Sequence, residues 1–172
     1  MQRREAIRTL SGIMGAMVAL PAWAEKWSVE KIAGPTLLDK GQKMILTSMV
    51  DAIIPKTDTP GAAELGVSRF VELMIQDCFE TSSQDLLKKG LSNLDSAART
   101  QFGKGFSRLR SSEQLQLIKS FAQGSVQPDR DFVNLVKNLV IQGYTSSEYV
   151  MTHITRYELV PARYHGCVSI ES

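Results

Sequence analysis

The stretch from Asp51 to Phe79, DAIIPKTDTPGAAELGVSRFVELMIQDCF, sets the terms on which this chain can fold. Ile53 and Ile54 close an apolar run. Pro55 stops it, because proline lacks an N–H donor and disfavours helix at the residue before it. Lys56-Thr57-Asp58-Thr59-Pro60-Gly61 is dense in turn formers and carries a second stop at Pro60. From Val67 the apolar residues recur as Val67, Phe70, Val71, Met74, Ile75, Cys78 and Phe79, the spacing of an amphipathic helix. Two helices joined by a proline-bracketed loop are thus a scaffold centre. Nothing in the stretch carries catalytic chemistry.

The same periodicity organises the rest of the body. It predicts a helix over about residues 36–54, with Thr36 as N-cap and Asp39 in the first turn, and a second over about 67–80. A third helical stretch starts near Ser83, with Gly90 and the cluster 93–96 as candidate breaks. Ser111 stands three before Gln114, and Thr145 three before Glu148. Both are capping-box spacings, and they predict helices opening at about 111 and near Ser146. Residues 129–142 are apolar round most of a helical circumference and read as the central buried helix. No stretch sustains period-two alternation. A chain of 172 residues can bury one real core. The expectation is an all-α domain, a compact bundle of about six helices with an extended C-terminal tail from about residue 156.

Residues 1–24 read as an address rather than as part of that body. A short basic start, with Arg3, Arg4 and Arg8 against only Glu5, precedes a mild apolar run from Leu10 to Leu20. That run is short for a bilayer span, and Ala22-Trp23-Ala24 supplies small residues where a signal peptidase reads, with Ala24 last before the cut. The Arg3-Arg4 pair with Ile7 and Arg8 is similar to a bacterial twin-arginine leader, a route that carries proteins already folded. General secretion and an uncleaved anchor are the alternatives. All three mean export. With the leader set aside, acids and bases balance in residues 25–172, which argues against broad electrostatic binding to nucleic acid.

The body lacks the constellations of an enzyme. His153 and His165 are the only histidines and have no third metal ligand at a useful spacing. Gly103-Lys104-Gly105 reads as a turn, since no strand or phosphate-loop spacing surrounds it. Neither cysteine lies in Cys-x-x-Cys-His, so haem attachment to this chain is excluded. Cys78 falls on the apolar face of its helix and reads as a buried, inert thiol. The tail is different: Arg156, Tyr157, Pro161, Arg163, Tyr164 and Cys167 combine interface-prone side chains with a proline-stiffened backbone. It packs either across its own helices or on a second protein. Cys167 has two candidate disulfide partners, a cysteine of a partner chain or Cys78, and the core-facing reading of Cys78 favours the former.

The leader, the stretch DAIIPKTDTPGAAELGV, FGK followed by an EQ-containing helix, and GYTSSE…RY…VP-x-RY-x-GC together resemble the small subunit, subunit 3, of gluconate 2-dehydrogenase. The similarity runs from about Leu37 to Cys167 and is strongest over residues 53–67 and 143–167. It implies a non-catalytic companion of a flavin-dependent sugar or sugar-acid dehydrogenase. The large partner would hold FAD and resemble glucose-methanol-choline oxidoreductases, with a c-type cytochrome as a further haem-bearing subunit. The small subunit would help the large one fold and carry it through the twin-arginine translocase. The complex would be periplasmic, membrane-associated only through its other subunits. The expected partner surface is the loop with Pro55 and Pro60 together with the tail residues named above. The contrasting expectation is a free-standing periplasmic helical binding domain with no flavoprotein.

Overall fold

The computed structural model describes residues 36–155 and Tyr157. Among them the architecture is all-α: α1 (Lys40–Ile53), α2 (Val67–Cys78), α3 (Thr81–Phe102), α4 (Ser111–Gln123) and α5 (Gln127–Thr145). A 3₁₀ turn (Phe106–Arg108) links α3 to α4, and a π turn (Val150–Ile154) follows α5.

Local chemistry explains most of these boundaries and corrects several expectations. The first helix is capped by Asp39, not Thr36: the Asp39 carboxylate accepts from Gln42 N at 2.8 Å, and Gln42 Oε1 accepts from Asp39 N at 3.3 Å. A carboxylate at the N-cap satisfies an orphan donor and meets the positive end of the helix dipole. Helix α2 ends at Cys78, and the side chain of Gln84 donates to the carbonyls of Ile75, Gln76 and Phe79 at 3.4, 3.1 and 3.4 Å. Orphan carbonyls at a helix C-terminus need such partners. With them satisfied, α3 starts after only Phe79 and Glu80. At its own far end α3 stops at Gly103, which sits in the left-handed region at φ 70°. At the start of α4 the box is shifted by one residue from the expected one. Glu113, not Gln114, reaches back and accepts from the backbone N–H of Arg110 at 2.9 Å. Gln114 instead turns inward and donates to the Phe106 carbonyl at 3.0 Å. The box expected at Thr145 is not used either. Thr145 is the last residue of α5, and its hydroxyl donates back to Ile141 O at 2.8 Å.

Helix α5 is the centre of the bundle, as its all-round apolar character predicts: it packs against each of the other four helices. Phe132, Val133, Val136, Leu139 and Val140 are its buried core residues. Gly90 does not break α3 but seats the ring of Phe132. A Cβ at position 90 would lie 2.2 Å from the Phe132 ring, so only glycine admits this crossing. Around α5 the core continues through Leu46, Met49 and Val50 of α1, Val71 and Ile75 of α2, Leu87, Leu91 and Leu94 of α3, and Leu117 of α4. Glu72 is a buried exception, and its carboxylate is answered twice. Leu38 N donates to it at 3.3 Å, and Lys43 Nζ stands 3.3 Å away. A buried carboxylate needs both kinds of partner. With Gln76 accepting from Leu37 N at 3.0 Å, it fixes the segment before α1 onto α2.

Candidate partner interface

The loop between α1 and α2 is closed by its own backbone. Ala62 N donates to Ile54 O at 3.0 Å, Thr57 N to Thr59 O at 3.1 Å, and Val67 N to Ala62 O at 3.1 Å. Gly61 makes this closure possible, because a Cβ there would sit 2.8 Å from Lys56 N. Gly66, at φ 73°, turns the chain into α2. Lys56 Nζ bonds Glu64 Oε1 at 2.8 Å across the open side. The hydrogen bond and then the charge of Glu64 raise the Lys56 pKa. The reciprocal hydrogen bond holds Glu64 low, against a smaller opposing effect of desolvation. Both side chains are too exposed for the pair to add much stability. Backbone closure, not charge, makes the loop stiff.

The last turn of α5 then locks this loop from outside. The Tyr144 hydroxyl donates to Pro60 O at 3.2 Å and lies 3.4 Å from Thr59 Oγ1, joining residues 84 apart in sequence. One residue earlier, Gly143 lets α5 press on α2: a Cβ there would fall 2.5 Å from Phe70 Cδ1 and 3.0 Å from Val67 Cγ1. Past Tyr144 the chain tightens. Ser147 Oγ donates to Tyr144 O at 2.7 Å, and the π turn follows, closed by Thr155 N to Val150 O at 2.9 Å. The rings of Tyr149 and His153 stack with centroids 4.7 Å apart and planes 16° from parallel. His153 Nδ1 is shared between Thr152 Oγ1 at 2.8 Å and Tyr149 O at 3.2 Å. Beside this pair Ile154 and Tyr157 are each 53% exposed. Short π segments concentrate at functional positions, and large exposed apolar side chains on a backbone so tied are suited to docking.

Of the residues singled out from sequence, Pro55 is exposed and Pro60 half-buried on the locked loop, and Tyr157 is exposed beside the π turn. Arg3, Arg4, Ala24, Arg156, Pro161, Arg163, Tyr164 and Cys167 lie outside the described residues. Cys78 overturns its expectation: the thiol is exposed. Helical spacing gives the direction of a side chain and not its depth. Val71 and Ile75 on the same face are covered, while Cys78, at the end of α2, is past the cover. Burial therefore gives no reason to set Cys78 aside as a partner for Cys167. Periodicity also missed the Tyr144 lock on the loop and the Tyr149–His153 stack beside exposed Ile154. The available signal was the sequence GYTSSEYVMTHITRY itself, where three tyrosines and a histidine crowd around a helix end.

Among the described residues no group of His, Cys, Asp or Glu is placed to hold a metal ion. No helix among them is long and apolar enough to cross a membrane. The arrangement is a surface of shape and apolar contact. Neither curated proteins nor solved structures match the chain. A family model, gluconate 2-dehydrogenase subunit 3, matches residues 40–162, which takes in every helix described above, the locked loop and the π turn. The chain belongs to the gluconate 2-dehydrogenase subunit 3 family.

Proposed function

We propose that this chain is the non-catalytic small subunit of a periplasmic FAD-dependent dehydrogenase acting on a sugar or sugar acid. In this reading it helps the flavoprotein fold and carries it through the twin-arginine translocase as a folded passenger. FAD belongs to the partner, and electrons leave through a c-type cytochrome. The observation that supports it most is the meeting in space of the two stretches on which the family resemblance is strongest. The loop with Pro60 is pinned by Tyr144, and five residues on half-buried Tyr149 stacks on His153, which with Ile154 and Tyr157 is exposed. A locked loop beside exposed aromatic and apolar side chains costs little ordering entropy on docking. The leader suits the export half, since the twin-arginine route accepts folded complexes.

The test is co-expression with the flavoprotein partner, followed by assay of FAD-bearing dehydrogenase in the periplasmic fraction. Full-length chain is expected to give active, exported flavoprotein. Arg3-Arg4 changed to Lys-Lys is expected to strand both chains in the cytoplasm when the partner has no leader of its own. Ile154→Asp with Tyr157→Asp is expected to keep the small chain folded and exported while the flavoprotein is lost. Full activity and export of the flavoprotein without this chain would sink the proposal, as would purification from the native host of a colourless monomer.

A further inference from the structure

A second surface lies along α1, away from the residues of the locked loop, and its chemistry differs. Two depressions of about 330 and 380 Å³ share Met44 and Ser107 as lining residues, so they form one groove between α1, the end of α3 and the 3₁₀ turn. Met44 is 56% exposed at that junction, with Ile45 half-buried beside it. A flexible, polarizable thioether is the side chain that adapts best to a varied apolar guest.

The rim of this groove is cationic. Its lining holds Lys40, Lys43, Arg99 and Arg108, and Asp95 as the one carboxylate. That carboxylate is already engaged on both oxygens, by Arg99 Nε at 2.7 Å and by Phe106 N at 2.9 Å. Lys43 in turn is paired with Glu72. Lys40 and Arg108 are exposed, and neither has an ion pair among the described residues. Lys40 also occupies the first position of α1, where the helix dipole disfavours a cation. Helix stability does not account for a lysine there.

We propose that this groove docks an acidic segment of a partner protein, its carboxylates on Lys40 and Arg108 and an apolar side chain seated on Met44. The groove is a docking surface separate from the one around Tyr144, and the proposal does not rest on the dehydrogenase reading. Electrostatic complementarity of this kind sets partner choice and speeds encounter, and it weakens as salt screens the charges.

The experiment places the photo-crosslinker p-benzoylphenylalanine at position 44 of the full chain in its native host, with circular dichroism to check folding, and maps the crosslinked peptide by mass spectrometry. The expected product joins position 44 to a segment of another protein that is rich in Asp and Glu. Its yield is expected to fall at least fivefold with Lys40→Glu and Arg108→Glu together, and likewise when complexes extracted without added salt are irradiated in 0.5 M salt. Leu115→Ser, a change at an exposed position on α4, is expected to leave it unchanged. A crosslink to a second copy of this chain, to its own residues 158–172, to a nucleic acid, or to a basic segment overturns the proposal. So does the absence of any crosslink, or a yield indifferent to the charge reversals.

Discussion

Gly90 and Phe132 show how little room single positions leave in this bundle. With a prospective Cβ at 2.2 and 2.3 Å from two ring atoms, Gly90→Ala forces either the Phe132 ring or the α3–α5 separation to change. Overpacking of this kind costs about 1–3 kcal/mol, more than the helix propensity gained from alanine, which is about 1 kcal/mol. Urea denaturation is expected to show a lower midpoint for Gly90→Ala and partial recovery when Phe132→Leu is added. An unchanged midpoint would mean the ring is not seated there. Asp95 supplies a second residue-scale prediction. Desolvation pushes its pKa up, but hydrogen bonds from the Arg99 side chain and from Phe106 N, with the charge of Arg99, outweigh it and hold the carboxyl below its ordinary 3.8. A depressed folded-state pKa means that the ionised form stabilises the fold. The contribution is therefore complete above the unfolded value and lost as pH falls through the folded one. Asp95→Asn is expected to flatten the stability–pH curve below about pH 4, where a normal Asp titrates, and to leave its shape at pH 6–8 unaltered. A wild-type acid limb unchanged by the substitution would contradict the pairing.

At the level of elements, the loop between α1 and α2 is held by a residue of neither. Tyr144→Phe removes the hydrogen bond to Pro60 O while keeping the ring, a loss of about 0.5–1.5 kcal/mol for a typical bond. The informative readout is local. Hydrogen exchange at Ala62 N, which closes the loop on Ile54 O, is expected to speed up several-fold relative to amides in the middle of α5. Uniform acceleration across all helices, or none at Ala62, would show that Tyr144 does not serve as the lock. The opening stretch of the sequence thus holds a closed loop between α1 and α2, while the centre of the bundle is α5. Gly61, the backbone bond of Ala62 and the phenol of Tyr144 close that loop in addition to the stops at Pro55 and Pro60.

For the whole molecule, the buried cluster among the described residues runs from Leu38 to Val140. A chain ended after Tyr157 is therefore expected to unfold in one cooperative transition, with a midpoint close to that of the full chain. Broad, non-cooperative melting would mean that residues 158–172 belong to the core instead. The same shortened chain separates folding from docking in the co-expression assay: if it folds alone yet fails to yield active flavoprotein, those residues act on the partner. The two surfaces can be told apart in the same way. Charge reversal at Lys40 and Arg108 affects the α1 groove, while Ile154 closes the π turn after α5 and Tyr157 lies just beyond it.

The sequence by itself determined the helices, because period and turn chemistry are local. The Val67–Phe79 repeat, the Pro55 stop and the all-round apolar face of α5 each act within a few residues. It also carried the family, since enough of the pattern from Leu37 onward survives to be matched over residues 40–162. Where a cap or a break was in question, local pattern failed. Thr36, Gly90, Ser111 and Thr145 have the right residue types, but the choice among neighbouring donors and acceptors depends on what packs above them. Depth was equally out of reach, and Cys78 is the example: its face is apolar, and only the end of α2 decides that nothing covers it. The candidate site belongs to this second class. Tyr144 and Pro60 are 84 residues apart, and no periodicity relates them. They meet because Gly143 lets α5 press on Val67 and Phe70, a contact that exists only once both helices are packed.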